Sequence, residues 1–155
     1  MRTMILVLMT ALASTVAADD SVKGARATLD NYFDAFNSGD LQRVANEIYS
    51  TPLHQGLGTE HNVLATPEDA LQQLTGFHKG ISAQGWVEFR FENVESCVLT
   101  EDLVLLDTQY ASVFKKGPES FETMTTMLYV LQRSEGSWKI ISYYRHDGDT
   151  RPTCG

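Results

Sequence analysis

The sequence predicts an α+β domain, with three early helices packed on one face of a curved antiparallel sheet. Two observations carry this expectation. Apolar residues recur at helical spacing as far as Ile81, and from Trp86 the period switches to two. The later β-rich runs are separated by segments short enough for antiparallel hairpins. Helices first and a meander after them make a two-layer arrangement around one core.

Residues 1–18 read as a secretory signal peptide. Arg2 gives a positive start, Met4 to Leu12 is almost entirely apolar, and Val16-Ala17-Ala18 supplies small residues before Asp19. The apolar run is far shorter than the roughly 20 residues a bilayer-spanning helix needs, so membrane insertion is not expected. Cleavage after Ala18 leaves residues 19–155 as a single domain, periplasmic or secreted.

In that domain Val22, Ala25, Leu29, Tyr32, Phe33 and Phe36 form one helical stripe, and Gly39 supplies a left-handed stop. Asp40 caps a second, shorter helix with Leu41, Val44, Ala45, Ile48 and Tyr49 inward, ended by Pro52. Leu53 to Ala65 has no clean period and reads as a loop or short hairpin. Thr66-Pro67-Glu68-Asp69 then opens a third helix, in which Ala70, Leu71, Leu74, Phe77, His78 and Ile81 share a face. Four strands follow, at Trp86–Leu99, Leu103–Lys116, Ser120–Arg133 and Trp138–His146. Strands this long curve or bulge.

Charge and cysteines narrow the function classes. Without Arg2 the domain holds 11 Lys and Arg against 20 Asp and Glu, a net −9. Such a chain repels phosphate backbones and anionic surfaces, which argues against nucleic-acid binding. Cys97 and Cys154 are the only cysteines. In an oxidising compartment they form either one disulfide, pinning the C-terminal tail to a strand, or two separate thiols. No spacing matches a metal site or a cofactor motif, so neither is expected.

Two stretches carry a resemblance to a known family. Tyr32-Phe33-Asp34-Ala35-Phe36-Asn37-Ser38-Gly39-Asp40-Leu41 and Gly136-Ser137-Trp138-Lys139-Ile140-Ile141-Ser142 resemble the nuclear-transport-factor-2-like superfamily, which includes ketosteroid isomerases and SnoaL-like cyclases. The resemblance covers roughly Val22 to His146. It implies a cone with an apolar pocket, and a homodimer through the outer sheet face. Tyr32 falls where ketosteroid isomerases place an oxyanion-hole tyrosine. The family's two catalytic aspartates are replaced, however, by the segment Pro52-Leu53-His54-Gln55-Gly56 and by Met127. Isomerisation needs a base and a protonated donor, so ketosteroid turnover is not expected.

The candidate ligand-pocket residues are Tyr32, His54, His61, Tyr110, Met127 and Tyr144, with the disulfide candidates Cys97 and Cys154. Tyr32 is either a core tyrosine bonded to the backbone or a pocket hydroxyl. His54 and His61 flank a Gly-containing loop, and an imidazole is the natural general acid or base near neutral pH. Tyr144 and His146 share a last-strand face expected to approach the pocket wall. Asp107 either points into the cone, where burial suits it to proton transfer, or points outward against a neighbouring Arg or Lys. The favoured expectation is an exported, non-catalytic protein that binds a small, largely apolar molecule in a cone-shaped pocket or serves as an accessory domain. The alternative is a cofactor-free lyase, isomerase or cyclase using Tyr32 with His54 or His61.

Overall fold

The computed structural model describes residues Leu8–Gly148, with side chains from Ala18 onward. Helix α1 (Leu8–Ser38) leads into a short α2 (Leu41–Arg43), which continues as a single π turn (Val44–Ile48). Strands β1 (Tyr49–Leu57) and β2 (Glu60–Leu64) precede α3 (Pro67–Ser82). Strands β3 (Trp86–Thr100), β4 (Leu103–Lys116), β5 (Glu119–Ser134) and β6 (Ser137–His146) complete a six-stranded sheet, ordered β2-β1-β6-β5-β4-β3. It is the expected α+β cone, with the helices lying on a curled, unclosed sheet. No described helix is long and apolar enough to cross a membrane.

The Asn37-Ser38-Gly39-Asp40 segment does three separate jobs. Asn37 acts as a piece of strand, accepting from Phe89 N and donating to Phe89 O at 2.9 Å each, so the end of α1 is clamped to edge strand β3. Gly39 takes φ +78°, which side-chain-bearing residues rarely adopt. That turn lets Asp40 N bond Ala35 O at 2.8 Å, closing the helix end. Asp40 then accepts from Arg43 N and caps α2. Thr66 and Asp69 form a reciprocal capping box that starts α3 as expected.

The structure departs from the sequence reading between Tyr49 and Leu64. The second helix stops at Ile48, so Pro52 does not end it but lies inside β1. The stretch read as a loop or short hairpin is a two-stranded ribbon, and β1 runs parallel to β6, which makes the sheet mixed. Leu53, Gln55 and Leu64 face the helices on this ribbon, while its other face carries His54, His61 and an exposed Val63. Pro52 and Gly56 obscured that alternation. Buried Gln55 is held by a reciprocal amide pair with Gln73 of α3, with Gln73 Nε2 donating to Gln55 Oε1 at 2.6 Å.

Candidate functional site

The helix-facing side of the sheet carries a closed ring of four tyrosines. Tyr32 comes from α1, Tyr49 opens β1, Tyr129 lies on β5 and Tyr143 on β6. Ring centroids are 5.7 Å apart for Tyr32–Tyr49, 6.1 Å for Tyr49–Tyr143, 5.9 Å for Tyr143–Tyr129 and 5.9 Å for Tyr129–Tyr32. The register explains the convergence. Tyr129 pairs with Tyr143 across β5 and β6, and both pair onward to inward positions. Phe33 and Phe36 pack beside the ring, and Phe89 and Trp86 pack in turn against them.

Burial decides the chemistry of these phenols. It raises all four above the ordinary tyrosine value, for Tyr49 and Tyr129 well above it. For Tyr32 this is opposed by the nearby Tyr49 and Tyr129 hydroxyls. Tyr110, further along β4 and against Phe33 and Phe89, is raised by burial as well. At neutral pH the cluster therefore holds neutral hydroxyls, which can donate and accept hydrogen bonds but do not serve as bases.

One of these hydroxyls is not satisfied. Tyr49 is 3% exposed and near enough to Tyr32 for each to influence the other's acidity. Its Oη nevertheless has no hydrogen bond of acceptable distance and angle. Among the described residues only Trp86 Nε1 and Asp107 Oδ2 share that condition. A buried hydroxyl without a partner costs about 1–3 kcal/mol. The tyrosine ring is thus a place where an additional polar group would be stabilised.

The structure divides the expected site residues between two faces. Tyr32, Tyr110 and Met127 lie on the helix-facing side, with Met127 4% exposed. His54, His61 and Tyr144 lie on the opposite side. His54 pairs with Val63 and Ser142, while His61 and Tyr144 pair with Gly56, on which a Cβ would stand 2.5 Å from Tyr144 Cδ1. A β6 wall of Tyr144 and His146 is therefore corrected to one of Tyr143 and Arg145. The cause is a bulge on β6: opposite Val130 and Leu131 the partners step from Ser142 to Ile140, so Ile141 is extra and Ile140 and Tyr143 fall on the same side. The Ile140-Ile141 doublet was the available sign that alternation fails there.

Asp107 combines parts of both expectations. It sits on the outer face, paired in register with Leu128 and Glu95, yet is 4% exposed. Its partner is neither Arg nor Lys but His146, whose Nε2 lies 2.9 Å from Asp107 Oδ1. His146 Nδ1 lies 2.5 Å from Asp147 O, and a carbonyl only accepts, so Nδ1 carries a hydrogen. Thr126 Oγ1 donates to His146 O, so side chain and backbone both fix the end of β6.

No group of three or more His, Cys, Asp or Glu among the described residues is placed to hold a metal. No described cysteine is a free thiol, and Cys154 lies outside the described residues.

A family model described as NTF2-like protein (DUF6841) matches residues 19–148. The fold is similar to an NTF2-like protein with a cystatin-like fold from Novosphingobium aromaticivorans, with a TM-score of 0.74 and 12% identity, covering 96% of this chain and 94% of that one. It is similar to an uncharacterised cystatin-like-fold protein from Caulobacter vibrioides, with a TM-score of 0.66 and 15% identity over 84% and 92% of the two chains. A third similar structure, from Streptomyces avermitilis, is named as a candidate dehydratase of the NTF2-like family. Its TM-score is 0.64 at 14% identity, over 82% of this chain and 96% of that chain. Identities this low establish a shared fold and leave activity open. No curated protein matches the chain.

Proposed function

The chain belongs to the NTF2-like family DUF6841, and we propose that it is an exported protein whose tyrosine ring receives a small, largely apolar molecule without transforming it. The observation that carries this reading is the buried, unpartnered Tyr49 hydroxyl, set among aromatic faces. Sites of this type are mostly apolar and hold a few polar groups that orient the ligand.

The enzymatic alternative needs an acid–base group within hydrogen-bond reach of Tyr32. His54 and His61 project from the other sheet face, as does the Asp107–His146 pair. The hydroxyls near Tyr32 are held neutral by burial. Binding is therefore the reading the geometry favours. Export is supported by the start of the family match at residue 19, where the expected leader ends. Exported material is expected to begin at or near Asp19. Terminal sequencing that finds Met1 intact on exported protein would overturn export.

The test of the binding reading is Tyr49→Phe. Removing an unsatisfied buried hydroxyl should stabilise the ligand-free protein by about 1 kcal/mol, measured by chemical denaturation. The same change should lower retention of any small molecule that co-purifies from the native host, as read by native mass spectrometry. If the variant carries the co-purifying molecule as fully as the wild type, or if the wild type carries none, the reading fails.

A further inference from the structure

The rows of side chains beyond the tyrosine ring differ sharply in charge. Moving along the sheet from Tyr129 and Tyr143, the next inward row is Thr108, Met127 and Arg145, matched across β4, β5 and β6. Tyr110 and Thr125 follow in the row after that. Arg145 is thus the cation that β6 presents on the helix-facing side, two residues beyond Tyr143. Its side chain is exposed, and among the described residues its guanidinium forms no ion pair.

Several features keep that guanidinium available. Asp107 and Glu95 pair with each other in register on the outer face, away from it. Asp147, two residues on, has interactions of its own. Arg145 reaches Tyr110 electrostatically and opposes the effect of burial on that phenol. Its direction is also fixed. His146, its neighbour, is tied to the opposite face by Asp107, and its carbonyl by Thr126. In an extended strand, alternate side chains point to opposite faces, so anchoring His146 outward sends Arg145 inward.

We propose that the ligand is an aromatic or alicyclic carboxylate: its ring lies against the tyrosines and its single anionic group is received by Arg145, with Tyr110 beside it. This rests on the tyrosine ring being the ligand site. A planar guanidinium matches a carboxylate with two parallel hydrogen bonds. The neighbouring hydroxyls are neutral donors, which suits one negative charge better than two. The overall charge of −8 does not oppose this, because exposed charges further than about 8 Å away are largely screened at physiological ionic strength. His146 is a positioning residue in this scheme and touches no ligand.

The test uses 2-naphthoate and its uncharged counterpart 2-naphthalenemethanol, titrated calorimetrically into the mature protein. Wild type is expected to bind the carboxylate on the order of 10-fold more tightly or better, the range of a charge-assisted hydrogen-bond pair. Arg145→Met should bring the carboxylate down to the alcohol, and Arg145→Lys should restore only part of the preference. Asp107→Asn should weaken the carboxylate more than the alcohol by loosening the end of β6. If both probes bind wild type equally through Tyr49, or if Arg145→Met keeps the preference, the carboxylate inference is overturned while the ligand site stands. If neither probe binds, the ligand site itself fails, and the inference with it.

Discussion

Replacing Phe36 with alanine should remove about 3–5 kcal/mol of stability, the range for emptying a fully buried phenylalanine position. Phe36 is 0% exposed, and its ring lies 5.2 Å from Phe89, 5.3 Å from His78, 5.6 Å from Trp86, 5.9 Å from Phe77 and 6.1 Å from Tyr32. It therefore joins α1, α3 and β3, and no single neighbour can move in to fill the space. A loss of that size is a large share of the roughly 5–15 kcal/mol that holds a typical domain together. Denaturant unfolding followed by tryptophan fluorescence reads it directly, since Trp86 is one of the contacts. Phe121→Ala is the control: Phe121 is 49% exposed, and its principal ring contact is with Phe114. A Phe36→Ala loss below about 1 kcal/mol would show that the helices can repack and that the core has no such keystone.

The parts of this fold that were legible in the sequence are those where one local rule acts alone. The stripe from Ala25 to Phe36, the Gly39 stop and the Thr66 capping box each state their structure within a few residues. The long strands β3 to β6 were equally plain, because their turns are short and their alternation is mostly intact. β1 was not legible. A nine-residue strand containing Pro52 and Gly56 has little intrinsic strand preference. It is held by β2 on one edge and on the other by pairing in parallel with β6, nearly ninety residues later, and no local pattern reports the second contact.

The site was legible to the same degree. Tyr32 was found because it lies on a regular helical face. Tyr49 reads only as an inward helical position and Tyr129 carries no local signal, because their importance comes from convergence across four elements. The histidines misled for a different reason. They sit in the segment whose strand character was hidden, so their face could not be assigned. Asp107 shows the limit of alternation alone: its outward face was readable, but its burial depends on His146 arriving from another strand. A one-residue irregularity on β6 was enough to exchange Tyr144 and His146 for Tyr143 and Arg145.

The buried phenols lead to the second large effect, a steep loss of stability in alkali. Burial raises Tyr32, Tyr49, Tyr110, Tyr129 and Tyr143 above the ordinary phenol value near 10. A phenol raised on folding is held neutral in the folded chain, while its unfolded counterpart ionises at the ordinary value. Its contribution is complete below about pH 10 and is lost as pH climbs from there toward the folded value. Across that interval each such group removes about 1.4 kcal/mol per pH unit. Five acting together remove up to about 7 kcal/mol per unit, enough to exhaust a domain's stability within one or two units. Unfolding should therefore be cooperative and set in shortly above pH 10, with phenolate absorbance and loss of tryptophan tertiary signal rising together. Tyr49→Phe and Tyr129→Phe should each make the transition shallower, because each deletes one coupled ionisation. Gradual phenolate formation while the tryptophan signal stays native would mean that the phenols ionise without unfolding, and would contradict the coupling of their burial to the fold.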